Sequence, residues 1–282
     1  MTKHLFLVFG FPKSGTTFLQ RMLDMHPEVS CPVEQAFTNL TADLAVLLDR
    51  YRQALAVVDR RTGGQGVPAF DLALRNSILA ALIRALAASF AGAKPVCGLN
   101  ENTVIDRFAY YDEILQRPKM IAIFRNPVDT AVSSWRHNRR LAAIEPKRAA
   151  AHLKRLRRAD GTLENFVQLF AEEYQGKANA YLDYAEGRPN FITTTYEALV
   201  TDRKEELRRL FRFLGCDASA AAVAPIVARS SREAMAGEST DPQFFGVGRG
   251  RDDEPDVDVV LRRLVHDRLR PQLRRLGYRE PA

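Results

Sequence analysis

Cysteine is scarce in this chain of 282 residues, and its few cysteines form no pattern. Cys31, Cys97 and Cys216 lie far apart, make no C-x-x-C pair and are odd in number. The sequence therefore predicts neither a disulfide framework nor a cysteine zinc site, and it favours a reducing compartment. Long apolar runs are also missing at the N-terminus, because the run from His4 ends at Gly10, too early for a signal peptide. We expect a soluble, cytoplasmic protein with no membrane span.

The loop that follows this apolar run lacks the lysine of a nucleotide-binding Walker A loop. Gly10 and Gly15 have the G-x4-G spacing of such a loop, but the next residue is Thr16 where the lysine is expected. The only lysine of the loop comes earlier, at Lys13. The pattern predicts a phosphate-binding loop whose positive charge has moved.

Acidic residues are fewer than basic ones, 34 against 41, which gives a net charge of +7 and a pI near 9.5. This balance favours an anionic ligand. Nucleic acid would fit the charge, but no nucleic-acid-binding motif is visible and the basic clusters have the spacing of solvated helix faces. We expect no nucleic-acid partner.

Short apolar or β-rich runs alternate with long helical patterns along the chain. This alternation predicts an α/β fold, a P-loop-like parallel β-sheet flanked by helices. The predicted strands cover residues 5–9, 96–99, 120–124 and 191–195, with a further strand at 29–31. The predicted helices cover residues 16–25, 34–59 with a possible break, 71–91, 108–116, 128–141, 163–186 and 203–214.

Two segments interrupt this alternation. The pattern over residues 35–95 predicts a helical insertion after the second strand, with a flexible turn at 62–68. Residues 235–256 are rich in glycine, proline and charge, and predict a mobile loop before a last helix. Because no repeat or clear linker is present, we expect residues 1–282 to form a single domain.

An acidic residue is lacking after the second core strand, where a Mg²⁺-dependent P-loop enzyme needs one. The strand at 120–124 is followed instead by Arg125. A cation therefore stands where a metal ligand would be useful. The pattern favours a highly anionic nucleotide neutralised by lysine and arginine, and we expect no metal.

The residues after Arg125 strengthen this interpretation. On its own, the loop from Pro12 to Thr17 is as well explained by an ordinary strand-to-helix turn. Arg125, however, precedes a proline at the first turn of a predicted helix, and Ser133 follows two turns later. An arginine in this position can bind a phosphate through two hydrogen bonds, and the serine hydroxyl can donate a third.

Together these two segments resemble the sulfotransferases that use 3′-phosphoadenosine 5′-phosphosulfate (PAPS), notably the carbohydrate, tyrosylprotein and bacterial types. In that family a loop like the one from Pro12 to Thr17 holds the 5′-phosphosulfate, and an R-x-P-x-x-x-x-x-S motif, matched from Arg125 to Ser133, holds the 3′-phosphate. The segment that begins at Tyr196 looks like the family's Y-E-D-L segment, which carries a tyrosine beside the adenosine. The resemblance is weak over residues 35–95 and 140–190.

The resemblance implies PAPS as the donor, 3′-phosphoadenosine 5′-phosphate (PAP) as the coproduct, and a role for each matched residue. Lys13 would contact the oxygen that bridges sulfur and phosphorus, where negative charge develops as the sulfuryl group leaves. Phe18 is either an aromatic ring against adenine or a core residue of the first helix. The donor-binding residues implied are Lys13, Ser14, Gly15, Thr16, Thr17, Phe18, Arg125, Ser133 and Tyr196, with Arg249 and Gly250 from a segment loosely similar to the family's late K-G-x-x-G loop.

A base must remove the proton of the acceptor hydroxyl or amine. The residues around Glu34 look like the segment that carries a catalytic carboxylate in the carbohydrate and tyrosylprotein enzymes, so Glu34 is the first candidate. A helix-terminal carboxylate is the competing interpretation. Glu101 is the second candidate, although the family's lysine in this region is replaced by Asn100 and the histidine base of the phenol-sulfating enzymes is absent.

The leading hypothesis is a sulfotransferase that acts on a hydroxyl or amine of a small-molecule or saccharide acceptor. A P-loop kinase or NTPase, a nucleic-acid-binding protein and a nucleotide-binding protein without turnover remain as alternatives. The sequence identifies neither the acceptor nor the oligomeric state.

Overall fold

Five parallel strands form one sheet in the order β2–β3–β1–β4–β5 within the described residues, 3–63, 69–144, 162–231 and 255–278 of a computed structural model. The strands are β1 (His4–Gly10), β2 (Val29–Ser30), β3 (Val96–Asn100), β4 (Lys119–Phe124) and β5 (Phe191–Thr195). All five strands predicted from the sequence are confirmed. Because the strands are parallel, their carboxyl ends meet at one edge.

The central strand, β1, is buried on both faces. Leu5, Leu7 and Phe9 belong to one hydrophobic cluster, whereas Phe6 and Val8 belong to the other. This alternation follows from the two-residue period of a strand. It explains why β1 is apolar at every position from Leu5 to Phe9.

Helices cover both faces. They are α1 (Thr16–Asp24), α2 (Phe37–Thr62), α3 (Leu72–Ala91), α4 (Phe108–Ile114), α5 (Pro127–Ile144), α6 (Leu163–Ala185), α7 (Tyr196–Thr201), α8 (Arg203–Leu214), α9 (Ala220–Arg229) and α10 (Pro255–Arg275). A 3₁₀ turn spans Asn102–Asp106 before α4. One face packs mainly on α1, α8 and α9, and the other on α3, α4, α5, α6 and α10.

The predicted helical insertion is confirmed, since α2 and α3 lie between β2 and β3. The prediction was wrong at its start, because α2 begins at Phe37 after Ala36 adopts a left-handed conformation with φ of 51°. Helix α2 then runs to Thr62 without the possible break. Most of the predicted turn at 62–68 lies outside the described residues.

Helices α7 and α9 were not predicted. Helix α7 has six residues, and the hydroxyl of Thr195 accepts from the amide of Ala198 at 3.1 Å at its start. Helix α9 contains Pro225, which obscures its helical pattern. Of the predicted loop at 235–256, residues 235–254 lie outside the described residues, and α10 begins at Pro255.

Helix α3 is the one helix of the described ranges that is long and apolar enough to cross a membrane by length and composition, with a mean hydropathy of 1.4. Core helices of globular folds meet the same criterion. In this fold Leu79, Ile83 and Ala87 of α3 are buried in the hydrophobic cluster beside the sheet. The finding is therefore weak evidence for a membrane span.

Candidate active site

The loop from Phe11 to Gly15 joins the central strand to α1 at the carboxyl edge of the sheet. Gly15 caps α1 with φ of 100°, and Lys13 adopts φ of 73°, a left-handed conformation that is rare outside glycine. The amide of Ser14 closes the turn onto the carbonyl of Phe11 at 3.0 Å. This geometry leaves the first amides of α1 directed out of the helix, as in other anion-binding helix ends.

The loop side chains supply polar hydrogens at the same place. Ser14 is fully buried, yet its hydroxyl has no hydrogen-bond partner in the described parts of the chain. Thr16 is buried, and Lys13 and Thr17 are half-buried. A buried polar atom without a partner is unfavourable unless a ligand satisfies it, so the loop fits an anion that accepts hydrogen bonds.

Arg125 comes directly after β4, the neighbour of β1. Gly10 pairs with Ile123 across these two strands, so the arginine lies beside the loop. The Nε of Arg125 is buried without a hydrogen-bond partner among the residues described. The carbonyl of Arg125 is fixed by the hydroxyl of Tyr174 at 3.0 Å. A positively charged guanidinium with an unused hydrogen-bond donor therefore lies next to the loop.

Tyr196 connects these two parts. It follows β5, the neighbour of β4, and the guanidinium of Arg125 lies 4.7 Å from the centre of its ring. The ring also lies 5.7 Å from that of Phe18 and covers Gly15, where an added Cβ would come within 2.6 Å of the tyrosine. Arg203 lies 5.7 Å from the ring of Phe18. Phe18 itself is buried in the hydrophobic cluster on this face, so the accessible aromatic and cationic surface is formed by Tyr196 and Arg125.

Ser133, Arg249 and Gly250 are the remaining predicted donor-binding residues. Ser133 is half-buried on α5, six residues after Pro127. The start of α5 is fixed by the side chain of Asn126, whose oxygen accepts from the amide of Val128 at 2.9 Å. Arg249 and Gly250 lie outside the described residues.

Glu34 lies in the segment between β2 and α2. Its Oε1 accepts from the amide of Asn102 at 3.2 Å, and the residue is exposed. Loss of hydration around the carboxylate and the negative charge of Glu101 raise the pKa of Glu34, whereas the Asn102 amide and Lys13 oppose the rise. The carboxylate is therefore electrostatically coupled to Lys13, and it binds a proton more readily than an ordinary glutamate.

Glu101 is buried and already engaged. It accepts from the amide of Thr38 at 3.2 Å, from the hydroxyl of Thr103 at 2.6 Å and from the hydroxyl of Thr38. Since Thr38 belongs to the first turn of α2, the carboxylate fixes the start of that helix. Next to it, Asn100 is buried with its Oδ1 unpartnered among the described residues.

The described residues include one group that could hold a metal ion, His26, Glu28 and Cys216. His26 and Glu28 directly precede β2, so the group lies at the opposite edge of the sheet. His26 Nδ1 accepts from the amide of Glu28 at 3.1 Å, and its Nε2 bonds to the carbonyl of Asp217 at 2.9 Å. Burial and the charge of Glu28 raise the pKa of Cys216 to about 11. Both ring nitrogens of His26 therefore bond to backbone groups, and the thiol of Cys216 is protonated at neutral pH, so neither residue is prepared to bind a metal ion.

Several members of the site had no signal in the sequence. Asn102 acts through its backbone amide and Thr38 through its amide and its hydroxyl, and neither belongs to a motif. Arg203 opens α8, where it resembles any basic residue of a solvated helix. Only their spatial relation to Glu34, Glu101 and Phe18 identifies them.

A parallel sheet with a glycine loop at its carboxyl edge defines the class of P-loop-like α/β proteins. Within that class, residues 3–242 match the family described as the sulfotransferase domain. The chain belongs to this family and is a sulfotransferase. No curated protein matches the chain.

Solved structures support the same fold. A mouse sulfotransferase complexed with PAP superposes with a TM-score of 0.55 at 17% identity, covering 95% of this chain and 84% of that one. The sulfotransferase domain from the curacin biosynthetic pathway gives 0.52 at 16% identity, covering 100% of this chain and 99% of that one. A Mycobacterium avium sulfotransferase gives 0.51 at 13% identity, covering 99% and 78%. At these identities the likeness establishes the fold.

Proposed function

We propose that this sulfotransferase takes its sulfuryl group from PAPS and transfers it in line to a hydroxyl or amine. The bond between sulfur and the bridging oxygen breaks, a new bond forms between sulfur and the acceptor atom, and PAP leaves. The main support is the contact of Tyr196 with both Gly15 of the loop and Arg125, which brings the loop and the arginine into one cationic and aromatic site. PAP in the mouse structure of the same fold adds support.

In this proposal the loop and β4 hold the donor. Ser14 and the amides around Gly15 bind the 5′-phosphosulfate together with Thr16 and Thr17, and Arg125 and Ser133 bind the 3′-phosphate. The buried, unpartnered donors of Ser14 and Arg125 fit acidic oxygens. Tyr196 and Phe18 contact the adenosine. We also assign Arg249 and Gly250 to the 3′-phosphate on the basis of sequence resemblance.

Lys13 and Glu34 perform the chemistry in this proposal. Lys13 stabilises the charge that develops on the bridging oxygen, an interaction stronger in the transition state than in the ground state. Glu34 accepts the acceptor proton. Its raised pKa suits this task better than that of an ordinary glutamate, because a stronger base takes a proton more readily.

The rival functions have less support. A kinase or NTPase would hold Mg²⁺ through an acidic residue after a core strand, yet β4 is followed by Arg125. Glu101 follows β3, but its carboxylate is already engaged by Thr38 and Thr103. A binding protein without turnover would explain Asn100 in place of the family lysine. It would not explain a carboxylate of raised pKa that is coupled to Lys13.

Substitution of Lys13 by alanine tests the assignment. We expect the release of PAP from labelled PAPS, with a panel of acceptors, to fall about 100- to 1,000-fold, the range for loss of one transition-state donor. Lys204→Ala is the matched control, because Lys204 is exposed on α8. Near wild-type turnover by Lys13→Ala would refute the role of Lys13.

A further inference from the structure

A pocket of about 320 Å³ opens between α2, α3 and the start of α4. Its size is at the lower end of the range for small-ligand sites. The residues that define its chemistry are Thr41, Ala45, Arg75, Arg107, Tyr110 and Tyr111. None of the residues that carry the donor site lines it.

Hydrogen bonds connect the segments of the two candidate bases with each other and with α2, which forms one wall of the pocket. Glu34 accepts from Asn102, and the neighbouring Glu101 accepts from Thr38 in the first turn of α2. Thr41, which lines the pocket, lies three residues further and bonds to the hydroxyl of Tyr111 at 3.1 Å. With a rise of 1.5 Å per residue, the pocket extends from about 4 to about 10 Å beyond Thr38 along α2. The pocket therefore begins about one turn of α2 beyond the helix start that Glu101 fixes.

The lining of the pocket carries one uncompensated positive charge. Arg75 is largely buried and lies flat against Asp49, with Nε and a terminal nitrogen each 3.0 Å from a carboxylate oxygen, so its charge is compensated. Arg107 is exposed at the rim and forms no ion pair with any residue in the described ranges. Asp106, the carboxylate next to it in sequence, pairs with Lys177 at 2.8 Å. The lining contains no carboxylate.

Two tyrosines form the rest of the wall. The rings of Tyr110 and Tyr111 lie 5.5 Å apart, and Tyr110 is half-buried while Tyr111 is almost fully buried. A half-buried tyrosine offers an apolar face and a polar tip to the same ligand. Aromatic faces with polar tips suit the alternating C–H and hydroxyl surfaces of a sugar ring.

We propose that this pocket binds the acceptor and that the acceptor is an acidic saccharide. Arg107 binds a carboxylate on a sugar unit next to the one sulfated, Tyr110 packs on a ring face, and the hydroxyl to be sulfated lies at Glu34. This inference rests on the proposed function. It adds an acceptor class and the residues that select it.

Binding to the wild-type protein loaded with PAP tests the proposal by calorimetry. The probes are hyaluronan, chondroitin and galacturonan oligosaccharides, each compared with its carboxyl-reduced form. We expect at least one acidic oligosaccharide to bind, and its reduced form to bind at least about tenfold more weakly, the effect of losing one hydrogen bond to a charged group. Arg107→Gln should weaken the acidic form equally and leave the reduced form unchanged.

Two further variants sharpen the test. Arg50→Gln removes one positive charge from an exposed position of α2 outside the pocket and should bind like the wild type. Tyr110→Leu removes a ring without changing charge and should weaken both forms. Equal binding of both forms, no binding by any acidic oligosaccharide, or preference for an acidic tyrosine peptide would overturn the proposal. PAP binding in the same samples reports separately on the donor site.

Discussion

Lys13 is held in a left-handed backbone conformation that costs an ordinary residue about 1–2 kcal/mol. Ala36, two residues after Glu34, is held in the same way. Strained residues persist where the surrounding structure fixes them, and they concentrate at functional sites. Lys13 and Ala36 lie in the two segments that carry the proposed transition-state cation and the proposed base, whereas the other two non-glycine residues with positive φ in the described ranges, Gln116 and Arg117, follow α4.

Substitution distinguishes the roles of Glu34 and Glu101. We expect Glu34→Gln to reduce kcat about 100- to 10,000-fold, the range for loss of a general base. The melting temperature should not fall, because partial burial makes the negative charge of Glu34 unfavourable in the folded protein. Glu101→Gln should instead lower the free energy of unfolding by about 1–3 kcal/mol, because buried hydrogen bonds are lost. Melting curves and turnover of both variants distinguish the roles.

The pH profile provides a second measurement on the same pair. Since the pKa of Glu34 is raised, a larger fraction of the base is protonated and inactive at low pH than for an ordinary glutamate. The acid limb of kcat/KM should therefore lie above the usual value of 4.5 and should vanish in Glu34→Gln. A limb that persists in Glu34→Gln but vanishes in Glu101→Gln would assign the base to Glu101.

The β1–α1 loop depends on Gly15 for two reasons, its φ of +100° and its contact with the ring of Tyr196. Gly15→Ala should destabilise the protein by more than the 1–2 kcal/mol of backbone strain alone and should displace the tyrosine from the site. Thermal melting with and without PAP measures both effects. We expect a lower melting temperature and a PAP shift reduced by at least half.

Gly63→Ala is the matched control for that variant. Gly63 also has a positive φ, +67°, but nothing lies within 4 Å of its added Cβ. It should show the backbone strain alone, with an unchanged response to PAP. Similar behaviour of the two variants would mean that the contact between Gly15 and Tyr196 is unimportant.

The start of helix α2 could not be predicted from the local sequence. Its apolar residues indicated a helix, but its start depends on the hydrogen bonds from Thr38 to Glu101, residues 63 positions apart. No local pattern contains such a contact. The same holds for the pocket between α2, α3 and α4, because Ala45, Arg75 and Tyr110 come from three different helices.

The whole sheet, by contrast, was predictable. Strands buried on both faces are apolar throughout, and parallel connection brings their carboxyl ends to one edge. That rule already placed the loop at Lys13, Arg125 and Tyr196 on the same side of the molecule. It could not predict that Tyr196 covers Gly15 and stacks on Arg125, because side-chain packing depends on the strand order β1–β4–β5.

The most direct test of the proposed donor is thermal stabilisation by PAP compared with ATP and Mg²⁺. A ligand at 100 times its Kd stabilises the folded state by about 2.7 kcal/mol, which corresponds to roughly 5–10 °C for a protein of this size. We predict this shift with PAP and a much smaller one with ATP and Mg²⁺. A larger shift with ATP and Mg²⁺ than with PAP, or no shift with PAP, would contradict the account.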